Sequence, residues 1–267
     1  MRPIICFTSV FGLDDTWVGV CHAVVHQRCE NVHVVDLSHA VPPYDLRKGA
    51  AVAASGVHQL PTAIHLVVVD PGVGGARSDI CIVTNAGTLL VGPDNGVLLP
   101  SASRAGGVQA AYAIEPSSFV GGPPAPTFHA RDVLAPGAAA LACGVAPSDL
   151  GAKVEASRLV AAPFGECTSD GGYVLGEVLE SDRFGSLRFN IPTERIDELG
   201  LRAERLELEI GHNALEVPLA RTFSDVAEGD PLLLVDSSGW LTLAINLGSA
   251  EERYGNAPGV RVRIRAS

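Results

Sequence analysis

The run Ala63-Ile64-His65-Leu66-Val67-Val68-Val69 is apolar apart from one histidine, and it leads straight into Asp70-Pro71-Gly72. A strand with one face in water alternates apolar and polar residues. A strand this uniformly apolar is covered on both faces, as in the middle of a parallel sheet flanked by helices. The surrounding sequence supplies the layers that such a strand demands. Pro3 to Val10 is a second apolar, β-rich run, ended at Gly12, and Asp14 or Asp15 is placed to cap a helix reaching about His26. Val32 to Val35 reads as a strand, Leu46 to Val57 as a helix, and Ile80 to Val83 and Thr88 to Val91 as further strands. Arg131 to Cys143 reads as a helix stopped by Gly144, with Pro136 requiring a late start or a kink.

The second half has a different period. Leu206, Leu208 and Ile210 point one way and Glu207 and Glu209 the other, the alternation of a half-buried strand. Leu232 to Val235 and Trp240 to Ile245, joined through Ser237-Ser238-Gly239, read as a β-hairpin. The expected fold is α/β: an N-terminal α/β domain over 1–155 with a mostly parallel sheet, a linker over 156–168, and a smaller, all-β, barrel-like C-terminal domain over 169–267.

Composition narrows the function. The 267 residues carry a formal charge of -11, so a nucleic-acid partner, which needs clustered Lys and Arg, is excluded. No apolar stretch approaches the roughly 20 residues of a membrane span, and the start lacks the pattern of a secretory leader. A cytoplasmic protein with no membrane partner is expected. The six cysteines form no Cys-x-x-Cys pair and are read as free, buried thiols. His22 and His26, four apart with Glu30 a turn further on, lack the glutamate that a zincin helix places after its first histidine, and no metal site is assigned.

Several stretches carry chemistry-bearing residues. Asp70-Pro71-Gly72-Val73-Gly74-Gly75-Ala76-Arg77 follows the buried strand, and open α/β sheets bind ligands beyond the carboxyl ends of their strands. Its glycines permit a tight turn or close approach of backbone, but the stretch is neither a P-loop nor a dinucleotide fingerprint. Pro126-Thr127-Phe128-His129-Ala130-Arg131-Asp132 sets a histidine between an aromatic residue and charges just ahead of a helix. Gly92-Pro93-Asp94-Asn95-Gly96, Asp182-Arg183-Phe184-Gly185-Ser186 with Asn190 downstream, and Ala244-Ile245-Asn246 are each consistent with simple turns when taken singly.

Taken in order, these segments resemble the S-adenosylmethionine hydroxide adenosyltransferases, relatives of the fluorinating and chlorinating enzymes. The likeness spans nearly the whole chain: Phe11-Gly12-Leu13-Asp14-Asp15, Val35-Asp36-Leu37-Ser38-His39, Asp70-Pro71-Gly72-Val73-Gly74, Gly92-Pro93-Asp94-Asn95-Gly96, Phe128-His129-Ala130-Arg131-Asp132, Thr222-Phe223-Ser224-Asp225 and Ser237-Ser238-Gly239-Trp240. The resemblance implies an enzyme that hydrolyses S-adenosylmethionine to adenosine and methionine by directing an activated water at the ribose 5′ carbon, with no cofactor. It implies a homotrimer whose substrate lies between the N-terminal domain of one subunit and the C-terminal domain of the next. The family's Asp-Arg-His set falls on Asp70, Arg77 and His129, and the substrate-binding positions on Phe11, Asn95, Phe128, Asp182, Ser186, Asn190, Phe223 and Asn246. The halogenating relatives carry Tyr where Asp70 stands and, in the fluorinating branch, Ser where Ala130 stands, so this sequence favours water over halide.

Two positions depart from the family pattern. The usual Asp-Phe-Gly, whose Asp grips the ribose hydroxyls, is here Val10-Phe11-Gly12, and the usual Phe-Gly-Asn is Phe184-Gly185-Ser186. Losing a hydrogen bond to a charged group costs roughly 1.5–3 kcal/mol, about 10- to 150-fold in affinity. These departures keep two alternatives open beside the hydrolase, an adenosine- or S-adenosylmethionine-binding protein with little turnover and an enzyme acting on a nucleoside without ribose hydroxyls; a halide-using adenosyltransferase is a further alternative.

Overall fold

The computed structural model describes residues 2–115, 123–255 and 258–267. The chain divides into two compact units, Met1–Pro163 and Phe164–Ser267. The first runs β1 (Ile4–Ser9), α1 (Trp17–Arg28), β2 (His33–Ser38), α2 (Leu46–Gln59), β3 (Ile64–Val68), β4 (Asp79–Thr84), β5 (Leu89–Pro93), α3 (Leu99–Arg104), β6 (Val108–Ala113), α4 (Ala135–Ala142) and β7 (Lys153–Val154). Its sheet has the order β2-β1-β3-β5-β4-β6-β7. β2, β1, β3 and β5 pair in parallel, and β4, β6 and β7 join antiparallel to complete a mixed sheet. The apolar run is β3, buried along its whole length between β1 and β5.

Side chains divide between the two faces by parity. Ile5 and Phe7 of β1 and Ile64, Leu66 and Val68 of β3 join Val18, Cys21 and Val25 of α1 and Ala135, Ala138 and Ala139 of α4 in one core. α2 covers the other face and approaches it closely. A β-carbon on its Gly49 would meet Val69 at 2.7 Å, and one on Gly56 would meet Leu37 at 2.5 Å, which is why this helix is built from glycine and alanine. His65, the polar exception in β3, donates from Nε2 to the Leu60 carbonyl at 3.0 Å, and burial pushes its pKa down.

Several local expectations are corrected. Neither Asp14 nor Asp15 caps α1. Its N-cap is Thr16, and Asp15 lies one place too early, so its carboxylate takes the Thr16 amide at 2.6 Å. β2 runs on to Ser38 because its pairing with β1 extends to Thr8↔Ser38, which brings Asp36 into the strand. The Arg131–Cys143 helix is a π turn, Ala130–Leu134, followed by α4. Pro136 falls in the first turn of α4, where its missing N–H breaks no bond. Gly144, at φ +88°, closes α4 with bonds Gly144 N–H to Leu141 and Val145 N–H to Ala140, each 3.0 Å, a Schellman stop.

The reading of all cysteines as free thiols is also corrected. Cys29 and Cys143 form a disulfide, while Cys6, Cys21, Cys81 and Cys167 are free and buried. α1 packs against α4, and the two cysteines are the residues that end those helices, with Cα atoms 5.8 Å apart across a separation of 114 residues. Nothing in the linear spacing announces that meeting.

The second unit comprises β8 (Thr168–Asp170), β9 (Tyr173–Ser181), β10 (Leu187–Pro192), β11 (Arg205–Ile210), β12 (Asn213–Pro218), β13 (Pro231–Val235), β14 (Trp240–Ile245), α5 (Ala250–Tyr254) and β15 (Arg261–Ala266). Its ladder is antiparallel in the order β12-β11-β15-β9-β10-β14-β13, with β8 added on β9. The end strands β12 and β13 come together through the Leu219↔Leu233 bridge and the Ala220 N–H to Leu233 carbonyl bond of 2.8 Å, giving a nearly closed barrel. Leu206, Leu208 and Ile210 enter its core, while Glu207 and Glu209 meet Arg265 and Arg263 on β15. The hairpin is β13–β14, as its sequence indicates.

Candidate active site

β3 delivers Asp70 two residues beyond its last strand position, at the carboxyl end of the parallel half of the sheet. The chain then turns on itself, with Val73 N–H to Asp70 and Gly75 N–H to Gly72 bonds of 3.4 and 3.0 Å. Gly74 sits at φ +76°, and a β-carbon there would lie 2.2 Å from the Pro126 carbonyl oxygen. The Asp70–Arg77 loop is thus pressed against the segment that carries Phe128 and His129. Asn95 pins the strand tip from the other side: its Nδ2 donates to the Val69 carbonyl at 2.9 Å and its Oδ1 accepts from Val97 N–H at 3.2 Å.

The structure brings Asp70, Arg77 and His129 together and adds a fourth group. Arg77 Nε donates to Asp70 Oδ1 at 3.1 Å and its Nη2 donates to Asp70 Oδ2. Arg77 Nη1 donates to Asp79 Oδ1 at 2.7 Å, and Asp79 Oδ2 lies 2.6 Å from His129 Nδ1. Arg77 Nη2 is 3.3 Å from the same nitrogen. The four side chains are 5–15% exposed, so these contacts are weakly screened. Burial alone would lower the Arg77 pKa, but the bond to Asp70 and the charges of both carboxylates outweigh it and raise it, locking the guanidinium in its charged form.

Asp79 was not among the residues singled out in the sequence. Its signal was available: Arg77 and Asp79 are two apart on an extended segment, so their side chains share a face. A charged residue opening the buried strand Asp79–Thr84 also needs a partner.

Aromatic rings stand beside the cluster. Phe11 meets Phe128 edge-on at 6.0 Å between centroids and Trp17 at 5.6 Å, and the Arg131 guanidinium lies 5.0 Å over the Phe128 ring. A buried polar bracket fixes the Val10–Gly12 segment. Ser9 Oγ accepts from Phe11 N–H at 3.2 Å and contacts His39 Nδ1 at 2.7 Å, and Gly12 N–H donates to the His39 carbonyl at 2.8 Å. His39 Nε2 and His22 Nε2 lie 3.0 and 2.8 Å from Asp36 Oδ1. Partial burial tends to raise the Asp36 pKa, but the bonds from His39 and His22 lower it overall. His22 is therefore engaged with a carboxylate across α1 and β2 rather than with His26.

The remaining substrate-site candidates belong to the second unit. Asp182 Oδ1 accepts from the Phe184 and Ser186 amides at 2.8 and 3.0 Å, closing a turn that leaves Phe184 exposed and Ser186 buried. Asn246 Nδ2 donates to the Val226 carbonyl at 2.9 Å, bracing the loop that presents the half-exposed Phe223. Asn190 stands apart from these on β10. Its Oδ1 accepts from Glu177 N–H at 2.8 Å and its Nδ2 donates to the Gly165 carbonyl at 2.8 Å, so both ends of the amide hold backbone.

A buried cluster of two carboxylates, a guanidinium and an imidazole at the tip of a central parallel strand, on an α/β unit followed by a nearly closed antiparallel barrel, defines a distinct class of α/β protein. The chain belongs to the SAM hydroxide adenosyltransferase family, whose N-terminal domain model matches residues 5–151 and whose C-terminal domain model matches residues 176–263. Its relatives include proteins named (R)-S-adenosyl-L-methionine hydrolase from Salinispora tropica, 42% identical over 99% of this chain and 98% of the relative, and from Thermus thermophilus, 38% identical over 99% and 100%. A fluorinase from Actinopolyspora mzabensis is 29% identical over 100% of this chain and 98% of its own. The crystal structure of a conserved protein from Thermotoga maritima superposes with a TM-score of 0.88 at 31% identity, covering 98% of this chain and 99% of that one.

Proposed function

We propose that the chain hydrolyses S-adenosylmethionine to adenosine and methionine. The observation that carries this reading is the buried Asp70–Arg77–His129 arrangement at the strand tip. The names of relatives 38–42% identical over nearly the full chain support it. The sulfonium is already a good leaving group and departs as a neutral thioether, so no general acid is required. What remains is to orient one water opposite the C–S bond and to take its proton, because water is a poor nucleophile with a pKa of about 15.7. Asp70 and His129 accept or relay that proton, and Arg77 pairs with Asp70 and stabilises negative charge growing on the oxygen. Asp70 also places a negative charge where a halide ion would have to bind, which favours water over the halide used by the fluorinases.

Phe11 and Phe128 supply apolar surface for the adenosyl group, and Asn95 supports the strand tip. Asp182, Ser186, Asn190, Phe223 and Asn246 serve the methionine and adenine ends. In this reading the enzyme is a cytoplasmic homotrimer that needs no cofactor, with the substrate held between subunits. Leu13 and Trp17, 76% and 43% exposed, the latter against the Phe11 ring, are apolar residues suited to burial in such an assembly. The test is chromatography of the nucleoside product from S-adenosylmethionine in halide-free and halide-containing buffer. Adenosine in both is expected, with turnover lost in Asp70→Ala and in His129→Ala. Undiminished turnover in both variants would remove this mechanism.

A further inference from the structure

We propose that Asp79 is a positioning residue for the hydrolysis: it holds His129 in the Nδ1–H tautomer, so that Nε2 is the atom that meets the attacking water. The proposal rests on the hydrolase reading above and adds a residue and an atom to it.

The geometry leaves Asp79 little choice. Its side chain is 5% exposed, and its two oxygens are divided between two partners, Oδ1 on Arg77 Nη1 at 2.7 Å and Oδ2 on His129 Nδ1 at 2.6 Å. Its backbone is fixed as the first residue of β4, paired with Pro93 and accepting from Ile114 N–H at 2.8 Å. An ionised carboxylate only accepts hydrogen bonds, so a nitrogen 2.6 Å away from it carries the hydrogen. Arg77 Nη2 has a second hydrogen beside the one given to Asp70, but its 3.3 Å approach to the same nitrogen is the longer contact, and the 2.6 Å carboxylate contact decides the tautomer. Nδ1 is therefore closed to water, and the free lone pair of the imidazole is on Nε2.

Charge points the same way. Two carboxylates flank one guanidinium, leaving a net negative charge beside a neutral imidazole. A proton arriving from water brings the cluster to neutrality. The step balances. The water oxygen bonds to the 5′ carbon as the C–S bond breaks, and the C–S electron pair leaves with sulfur in methionine. The water's proton passes to Nε2 and then to solvent. Asp70 orients the water.

The experiment uses the full-length protein and S-adenosylmethionine. Asp79→Asn retains size, but its amide cannot accept from both Arg77 and His129, since one of its two atoms is a donor. The expected result is a fall in kcat of about 10²–10⁴-fold with KM changed by less than about threefold, the signature of lost proton transfer rather than lost binding. Asp79→Glu is expected to recover part of that loss. Long-range ¹⁵N–¹H correlation spectra should show His129 of the wild type as the Nδ1–H tautomer. Wild-type kcat in a folded Asp79→Asn variant overturns the proposal, as does an Nε2–H tautomer in the wild type, a readout that stands even where the variant does not fold. Absence of adenosine from the wild type would instead strike the hydrolase reading itself.

Discussion

Gly74→Ala isolates the contact that joins the two halves of the cluster. At φ +76° an alanine is strained by roughly 1–2 kcal/mol. Its β-carbon would also lie 2.2 Å from the Pro126 carbonyl oxygen, a backbone atom that cannot rotate away. An unstrained carbon–oxygen contact is about 3.3 Å, so the loop and the Pro126 segment must part by about 1 Å. That movement separates Asp70 and Arg77 on one side from His129 on the other, and a misplacement of about 1 Å costs on the order of 10²-fold in rate. Gly87→Ala is the matched control. It has nearly the same torsion, φ +83°, but nothing within 4 Å of its would-be β-carbon, and it lies in the turn between β4 and β5. Adenosine release followed by chromatography gives kcat, and denaturant unfolding gives stability. Both variants are expected to lose roughly 1–2 kcal/mol from the torsion, and only Gly74→Ala is expected to lose turnover. Wild-type kcat in Gly74→Ala, or an equal loss in Gly87→Ala, would refute the idea that this contact sets the alignment of the site.

Three further outcomes are expected. Val10→Asp restores the family's ribose-gripping residue on the segment bracketed by Ser9 and His39, and titration calorimetry should show S-adenosylmethionine binding tightened by about 10- to 150-fold; unchanged affinity would count against the ribose assignment and favour a different nucleoside. Thiol titration of the denatured, unreduced protein should detect only Cys6, Cys21, Cys81 and Cys167, and Cys29→Ser should lower unfolding stability by about 2–4 kcal/mol because the lost cross-link closes a long loop; detection of all the cysteines as thiols would contradict the bridge.

Much of the first unit was legible because its signals are local. The apolar run over Ala63–Val69 fixed a central strand, and the glycines and acid after it marked the strand tip. The β13–β14 hairpin and the face alternation of β11 were readable for the same reason. What stayed hidden depends on contacts between distant segments. The Cys29–Cys143 bridge exists because two helix ends happen to be adjacent, 114 residues apart in sequence. The Asp15 cap failed by one residue, a shift too small for composition to detect. The conflict at Pro136 was resolved by a π turn, which lets the chain enter α4 with the proline already in its first turn.

Asp79 stands beside Asp70 for a topological reason that also explains why the site lies where it does. In a sheet of purely parallel strands, every strand start lies at the end opposite the ligand, and an acid there would be remote from Asp70. β4 runs antiparallel to β5, with Asp79 paired to Pro93, so its first residue lies at the carboxyl end of β5 and β3. The Asp70–Arg77 loop need only cross that end to reach it, and the Asp94 N–H to Ser78 carbonyl bond of 2.8 Å ties the crossing down. β6, antiparallel to β4, finishes at the same end, with Ile114 bonded to Asp79, the residue that His129 contacts. The reversal of one strand thus gathers a strand end, a strand start and a helix entrance at one point. In the proposed mechanism the parallel half of the sheet supplies the acid that orients water, Asp70, and the antiparallel half the acid that orients the imidazole, Asp79.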